Sequence, residues 1–310
     1  RYEPSEWEQE WSNHVSEWSD PGTGKRLCAK MKEREEYVAA WDKGVAQAQA
    51  DGCGALDTRL RDQAVFSRYV YKNTCTEEEA STVIEPLAGL TRHPRANCFD
   101  RQHLVDRGYL LLGRTSDRCR TRMAEPAALS MVRAVEDQRV LLFDMGASLY
   151  SDGKGGSSQQ WFVDTLKKHG VHRLEYWGWE AEALDTVEVW KQQVPDDLKP
   201  FYHWINVPAN PDPKSGDNPW NFIKAVARME DHVFVKLDID NSPIELAFIE
   251  QLQRDPELRL LIDEMFFEHH VNVEAMYKSW KTQGETQRLS DTYKMIGGFR
   301  RQGLRFHSWP

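Results

Sequence analysis

The rhythm of apolar and polar positions changes near residue 138. Downstream, short apolar runs alternate with amphipathic stretches. "RVLLFDMGA" (139–147) reads as a buried strand, and "SQQWFVDTLKKHG" (158–170) as a helix stopped by Gly170. "VHRLEYWGWE" (171–180) predicts a second strand, and "AEALDTVEVWKQQV" (181–194) a helix ending before Pro195. "FYHWINVPA" (201–209) and "HVFVKLDI" (232–239) predict two further strands, with a helix opened by Pro219 between them. "SPIELAFIEQL" (242–252) predicts a helix, "LRLLIDEMFFEHH" (258–270) a long strand, and 286–302 a last helix before "GLRFHSWP". Strands and helices alternating at this spacing predict an α/β fold, a mostly parallel sheet with helices on both faces.

Residues 1–135 lack that rhythm. Trp7, Trp11 and Trp18 in "EWEQEWSNHVSEW" (6–18) sit at near-helical spacing, "LTRHPRANCFDRQH" (90–103) is loop-like, and "GYLLLG" (108–113) is a strand candidate. The expected organisation is a helical or irregular N-terminal extension, 1–135, followed by the sheet domain, 136–310.

Composition narrows the function. The 310 residues carry a net charge of −9, with no Lys/Arg stripe interleaved with aromatics, so nucleic acid is not an expected partner. No apolar run approaches the roughly 20 residues of a membrane span. The chain begins at Arg1, which predicts a processed or trimmed sequence. Its five cysteines, Cys28, Cys53, Cys75, Cys98 and Cys119, all lie in the first 120 residues without a Cys-x-x-Cys pair. That clustering predicts one or two disulfides and leans toward the secretory pathway or Golgi lumen, the other reading being reduced thiols in the cytoplasm.

In doubly wound sheets ligands bind at the carboxyl ends of the strands, so those ends hold the candidate chemistry. "FDMGAS" (143–148) closes the first strand on acid and then glycine, which permits a sharp turn with a cofactor against it. Glu180 closes the second strand, where an acid can take both ribose hydroxyls. Asp238 and Asp240, two apart on an expected strand, share a face and can bind a divalent cation, orient an acceptor hydroxyl or take its proton. Ser242, Pro243 and Glu245 predict an N-cap, a first helical position and a capping box. Glu268, His269 and His270 end the next strand, and strand alternation turns only one of the two histidines toward the crevice. His307 is expected in the core. Six of the twelve tryptophans lie between Trp161 and Trp220, and indoles at a pocket mouth would suit a sugar ring.

"VLLFDMGAS", the Trp179–Glu180 pair, "FVKLDIDNSPIEL" and "DEMFFEHH" follow the order of motifs in the FkbM-type methyltransferases, and residues 138–310 resemble that family. The resemblance implies a Rossmann-like fold, S-adenosylmethionine as methyl donor, and O-methyl transfer to a hydroxyl of a sugar, glycan or related small molecule. Asp144, Gly146, Ala147 and Ser148 would line the cofactor's methionine side, Glu180 would hold its ribose, and Lys236, Asp238 and Glu245 match the late motif. Two departures stand out: Tyr150 replaces a second glycine, and Asp240-Asn241 replaces Glu-Gly. The candidate catalytic set is Lys236, Asp238, Asp240, Glu268, His269 and His270; candidate ligands for Mg2+ or Mn2+ are Asp238, Asp240 and His270. Two other readings fit the same residues. One is a metal-dependent nucleotide-sugar glycosyltransferase using Asp238-x-Asp240. The other is a binding protein that keeps the fold without catalysis.

Overall fold

The computed structural model describes residues 1–18, 66–89, 138–151, 158–168, 173–273, 276–280 and 286–309, with isolated positions between them. Two compact units emerge, one of residues 134–268 and one of residues 1–133 with 269–310.

In the unit of residues 134–268, five strands run in the order β6-β5-β4-β7-β8. They are β4 (Val140–Met145), β5 (Leu174–Trp179), β6 (Tyr202–Ile205), β7 (His232–Leu237) and β8 (Glu264–Phe267). Every pairing is parallel, as the alternation predicts. Every residue of β4 is buried, because a central parallel strand is covered on both faces. Each apolar side chain buried this way contributes about 1.5–3 kcal/mol. Helix α2 (Ser158–Lys168) covers one face, where Phe162 meets Phe266 edge-on at 5.0 Å. Helix α3 (Pro219–Val226) covers the other, its Phe222 packing on Phe143, Trp177 and Trp179.

Two predicted elements differ. The expected long strand over 258–270 is a helix, α5 (Pro256–Leu261), followed by the short β8. Asp255 caps that helix by accepting from the Leu258 N–H at 3.0 Å, and Pro256 follows in its first turn. Cap and proline outweigh the apolar run "LLI". The expected helix over 181–194 is helical only from residue 186, and widens to a π-helix over Glu188–Gln193.

The other unit holds a three-stranded antiparallel sheet, β1 (Tyr2–Glu3), β2 (Ser67–Lys72) and β3 (Glu79–Ile84), where a helical or irregular extension was expected. Helix α1 (Glu6–Asn13), capped by Ser5, buries Trp7 and Trp11 as their spacing predicts. Helix α6 (Leu289–Arg301) and strand β9 (Arg305–Ser308) also belong to this unit. The Arg300 guanidinium, fully buried, donates to the Glu85 carboxylate at 2.6 Å and to the Phe306 carbonyl at 2.8 Å. A ring nitrogen of His307 lies 2.9 Å from the same carboxylate, so His307 sits in the core as expected. Cys75 is an exposed free thiol; the other four cysteines, Trp18's side chain and, apart from the buried Leu110, the strand candidate at 108–113 lie outside the described residues.

Candidate functional site

Parallel register sets the site. Met145 pairs with Trp179 and Leu237, Trp179 with Ile205, and Leu237 with Phe267. The five strands therefore stop at one level, and the next residues, Gly146, Glu180, Asn206, Asp238 and Glu268, form a single row along the carboxyl edge. The chain leaves β4 toward β5 and β6, then returns to β7 on the other side of β4. The gap between β4 and β7 is the topological switch point, where doubly wound folds take ligands.

Gly146 has φ +87°, and a Cβ there would stand 1.7 Å from the Asp238 carbonyl oxygen. Only glycine lets the β4 and β7 exits approach this closely. Beyond it, Ser148 occupies the left-handed region at φ +53°. Its N–H donates to Glu180 Oε2 at 2.8 Å, while Glu180 Oε1 accepts from the Glu182 N–H at 2.7 Å. Glycine turn and strand-end acid thus meet directly. Each Glu180 oxygen carries a further lone pair for a hydroxyl donor. The Gln159 amide, on α2, donates to the carbonyls of Ala147 and Ser148 at 2.7 Å each and holds the turn against that helix. The Asn206 amide donates to the carbonyls of Glu180 and Glu182. Neither Gln159 nor Asn206 carries a sequence signal for this work.

Asp144 does not line the crevice. It is fully buried one residue behind the turn, where Tyr176 Oη donates to Oδ2 and Lys236 Nζ to Oδ1, both at 2.9 Å. Lys236, itself 1% exposed, also donates to the Gly146 carbonyl at 3.0 Å and pairs with Asp238 at 3.3 Å. Burial works against the ammonium, but Asp144 and Asp238 outweigh it, and the Lys236 pKa lies above its usual value. Tyr150, the residue in place of a second glycine, is buried. Burial first, then Asp164 and Asp197, drives its hydroxyl pKa up.

Asp238 and Asp240 do not share a strand face. β7 ends at Leu237, and Asp240 turns the chain at φ +55°. Aspartate tolerates that conformation better than most residues. The turn also moves the cap: Asn241, not Ser242, caps α4 (Ser242–Arg254), and Glu245 reaches back to the Ile239 N–H at 2.9 Å. Asp238 hydrogen-bonds the Glu268 carboxyl, and its own carboxyl is pushed up to about 7. Burial is the largest cause; Lys236 opposes it, and Glu268 and Asp240 add to it. Two adjacent carboxyls in such a setting hold one proton between them.

The two histidines separate. His269 is buried, with Nδ1 2.8 Å from Thr292 Oγ1, and burial depresses it to about 4, Asp291 opposing and His270 adding. Its position against Thr292 makes it a structural imidazole of its own unit. Asp240 and Glu268 each bring one carboxylate oxygen within 4.8 Å of the other. Glu268 takes the place beside Asp240 expected of Asp238, and His270 belongs to the other unit. Two carboxylate oxygens are a donor pair that both Mg2+ and Mn2+ accept.

No family model matches this chain, and neither a curated protein nor a solved structure shows significant similarity to it. Among the described residues, no helix is long and apolar enough to cross a membrane.

Proposed function

We propose that residues 134–268 form an S-adenosylmethionine-dependent O-methyltransferase site acting on a hydroxyl of a sugar, glycan or related small molecule. The observation that carries the reading is the hydrogen bond from the Ser148 N–H to Glu180, which joins the exits of β4 and β5 beside the β4/β7 switch point. It joins a glycine turn to a strand-end acid in the same row as the Asp238–Glu268 pair. The donor supplies an electrophilic methyl group on a sulfonium. Glu180 would take the ribose hydroxyls, with Gly146, Ala147 and Ser148 against the rest of the molecule. Asp144 is given no contact with it.

Methyl transfer is an in-line displacement in which positioning contributes most. As the acceptor oxygen bonds the methyl carbon, the carbon–sulfur pair leaves on sulfur, and the hydroxyl proton needs a base. The Asp238–Glu268 pair is that base: with Asp238 titrating near 7, it accepts a proton without first being stripped of one by strong alkali. His269 has no part in this step. A cation held by Asp240 and Glu268 would orient the acceptor oxygen and add positive charge beside it.

That same group supports a second reading, a metal-dependent nucleotide-sugar transferase, in which the cation would hold a diphosphate. Thermal shift separates the two, because a ligand that binds only the native state raises Tm. The methyltransferase reading expects a rise with S-adenosylhomocysteine and none with UDP plus Mn2+. The reverse pattern would replace it with the second reading.

A further inference from the structure

The strand exits of residues 134–268 carry one sign of charge. Among the described residues, the segments 146–151, 180–185, 206–210 and 238–242, together with Glu268, contain Glu180, Glu182, Asp185, Asp238, Asp240 and Glu268 and no Lys, Arg or His. The cation of the row beneath, Lys236, is set between Asp144 at 2.9 Å and Asp238 at 3.3 Å. Asp144 is fully buried and balances that ammonium, so the exits keep their negative charge. Even with one proton shared between Asp238 and Glu268, Glu180 and Asp240 add further negative charge to the edge. Glu180, Asp238 and Glu268 are half-buried. A cleft walled by one sign of charge, with little water between, focuses its field on whatever enters.

We propose that the crevice selects its donor by charge, holding the cationic sulfonium form more tightly than the neutral thioether left after transfer. The inference rests on the methyl-donor reading, whose support is the glycine turn and its bond to Glu180; the carboxylates set the sign of that site and do not define it. In the transfer, the acceptor oxygen bonds the methyl carbon, the carbon–sulfur pair returns to sulfur, and the acceptor proton passes to the carboxyl pair. Positive charge thus moves from ligand to protein. The thioether has no charge for the carboxylates to hold, and the proton has neutralised one of them. Both changes weaken the grip on the product, so the chemical step itself favours release.

Calorimetry on the full chain tests this, with EDTA present so that no divalent cation sits on Asp240 and Glu268. It compares S-adenosylmethionine with S-adenosylhomocysteine and reads the ratio of their affinities, in which any general loosening of the site cancels. S-adenosylmethionine is expected to bind about tenfold tighter at about 50 mM salt, the size that a net charge a few ångströms away gives in a partly screened setting. The preference is expected to shrink to about twofold near about 0.5 M salt, where ions screen charges over a few ångströms. Asp240→Asn removes one charge and keeps a residue at ease in the left-handed turn. It should narrow the low-salt ratio about threefold. Equal affinities, or tighter binding of S-adenosylhomocysteine, would overturn the proposal. So would a preference that ignores both salt and Asp240→Asn, since packing against the methyl group would then account for it. If Asp240→Asn does not fold, the salt series decides. Binding of neither ligand removes the methyl-donor reading and the inference with it; binding of both without discrimination removes the inference alone.

Discussion

Replacing Asp238 with asparagine removes one titrating group while keeping a neutral hydrogen-bonding side chain beside Glu268, and its effect on stability has a calculable pH dependence. The carboxyl is raised from 3.8 to about 7 in the folded protein. The native state therefore holds a proton that the unfolded chain releases across that interval. Stability contributed by such a group is full below the unfolded pKa and is lost as pH rises toward the folded one. Between pH 5 and pH 8, linkage with these two values gives a loss of about 2–3 kcal/mol, taken as an upper figure because the side chain keeps 22% of its exposure. Asp238→Asn lacks this loss, so its stability relative to wild type should improve by about 2 kcal/mol from pH 5 to pH 8. His269, depressed to about 4, adds stability that rises with pH up to its unfolded value, but it does so in both proteins and cancels from the difference. Urea denaturation at half-unit steps measures the difference directly. A constant difference across the range would mean that Asp238 ionises as an ordinary aspartate, and the shared-proton base would be refuted with it.

Other substitutions test separate parts of the structure. Gly146→Ala should destabilise by about 3 kcal/mol or more in urea, since it forces a left-handed alanine and drives its Cβ into the Asp238 carbonyl. Arg300→Met should cost about 3–5 kcal/mol, because it leaves the Glu85 carboxylate buried without its cation; a smaller loss would mean that water reaches Glu85. The His269 ring should show no titration between pH 5.5 and 8 by NMR, as its pKa near 4 requires. Glu180→Gln should weaken S-adenosylhomocysteine binding about tenfold by calorimetry, an unchanged affinity removing Glu180 from the ribose.

The parallel sheet was legible because a strand buried on both faces leaves a continuous apolar run, and "RVLLF" and "HVFVKL" are such runs. Strand ends were legible too, since glycine and acid after an apolar run are punctuation with a physical cause. What the pattern missed came from contacts distant in sequence. Nothing in "FDMGA" announces that Asp144 is committed to a lysine on β7 and a tyrosine on β5, which only the register reveals. The same-face argument for Asp238 and Asp240 failed because the strand stops before both of them, and a left-handed turn at Asp240 has no periodicity to read. Glu268 looked secondary beside two histidines. Its alignment with Asp238 across β7 and β8 makes it the partner that matters, whereas His269 turns into the core. In the first 135 residues, the antiparallel strands were obscured by short length and charged alternation.

Everything proposed for residues 134–268 depends on a methyl donor seated at the switch point between β4 and β7. A crystal structure of the protein soaked with S-adenosylhomocysteine tests that most directly. The account predicts density for the ligand against Gly146–Ser148, with its ribose hydroxyls on Glu180 and its sulfur facing Asp238. A ligand bound elsewhere on the chain, or a crevice left empty at saturating concentration, would contradict it.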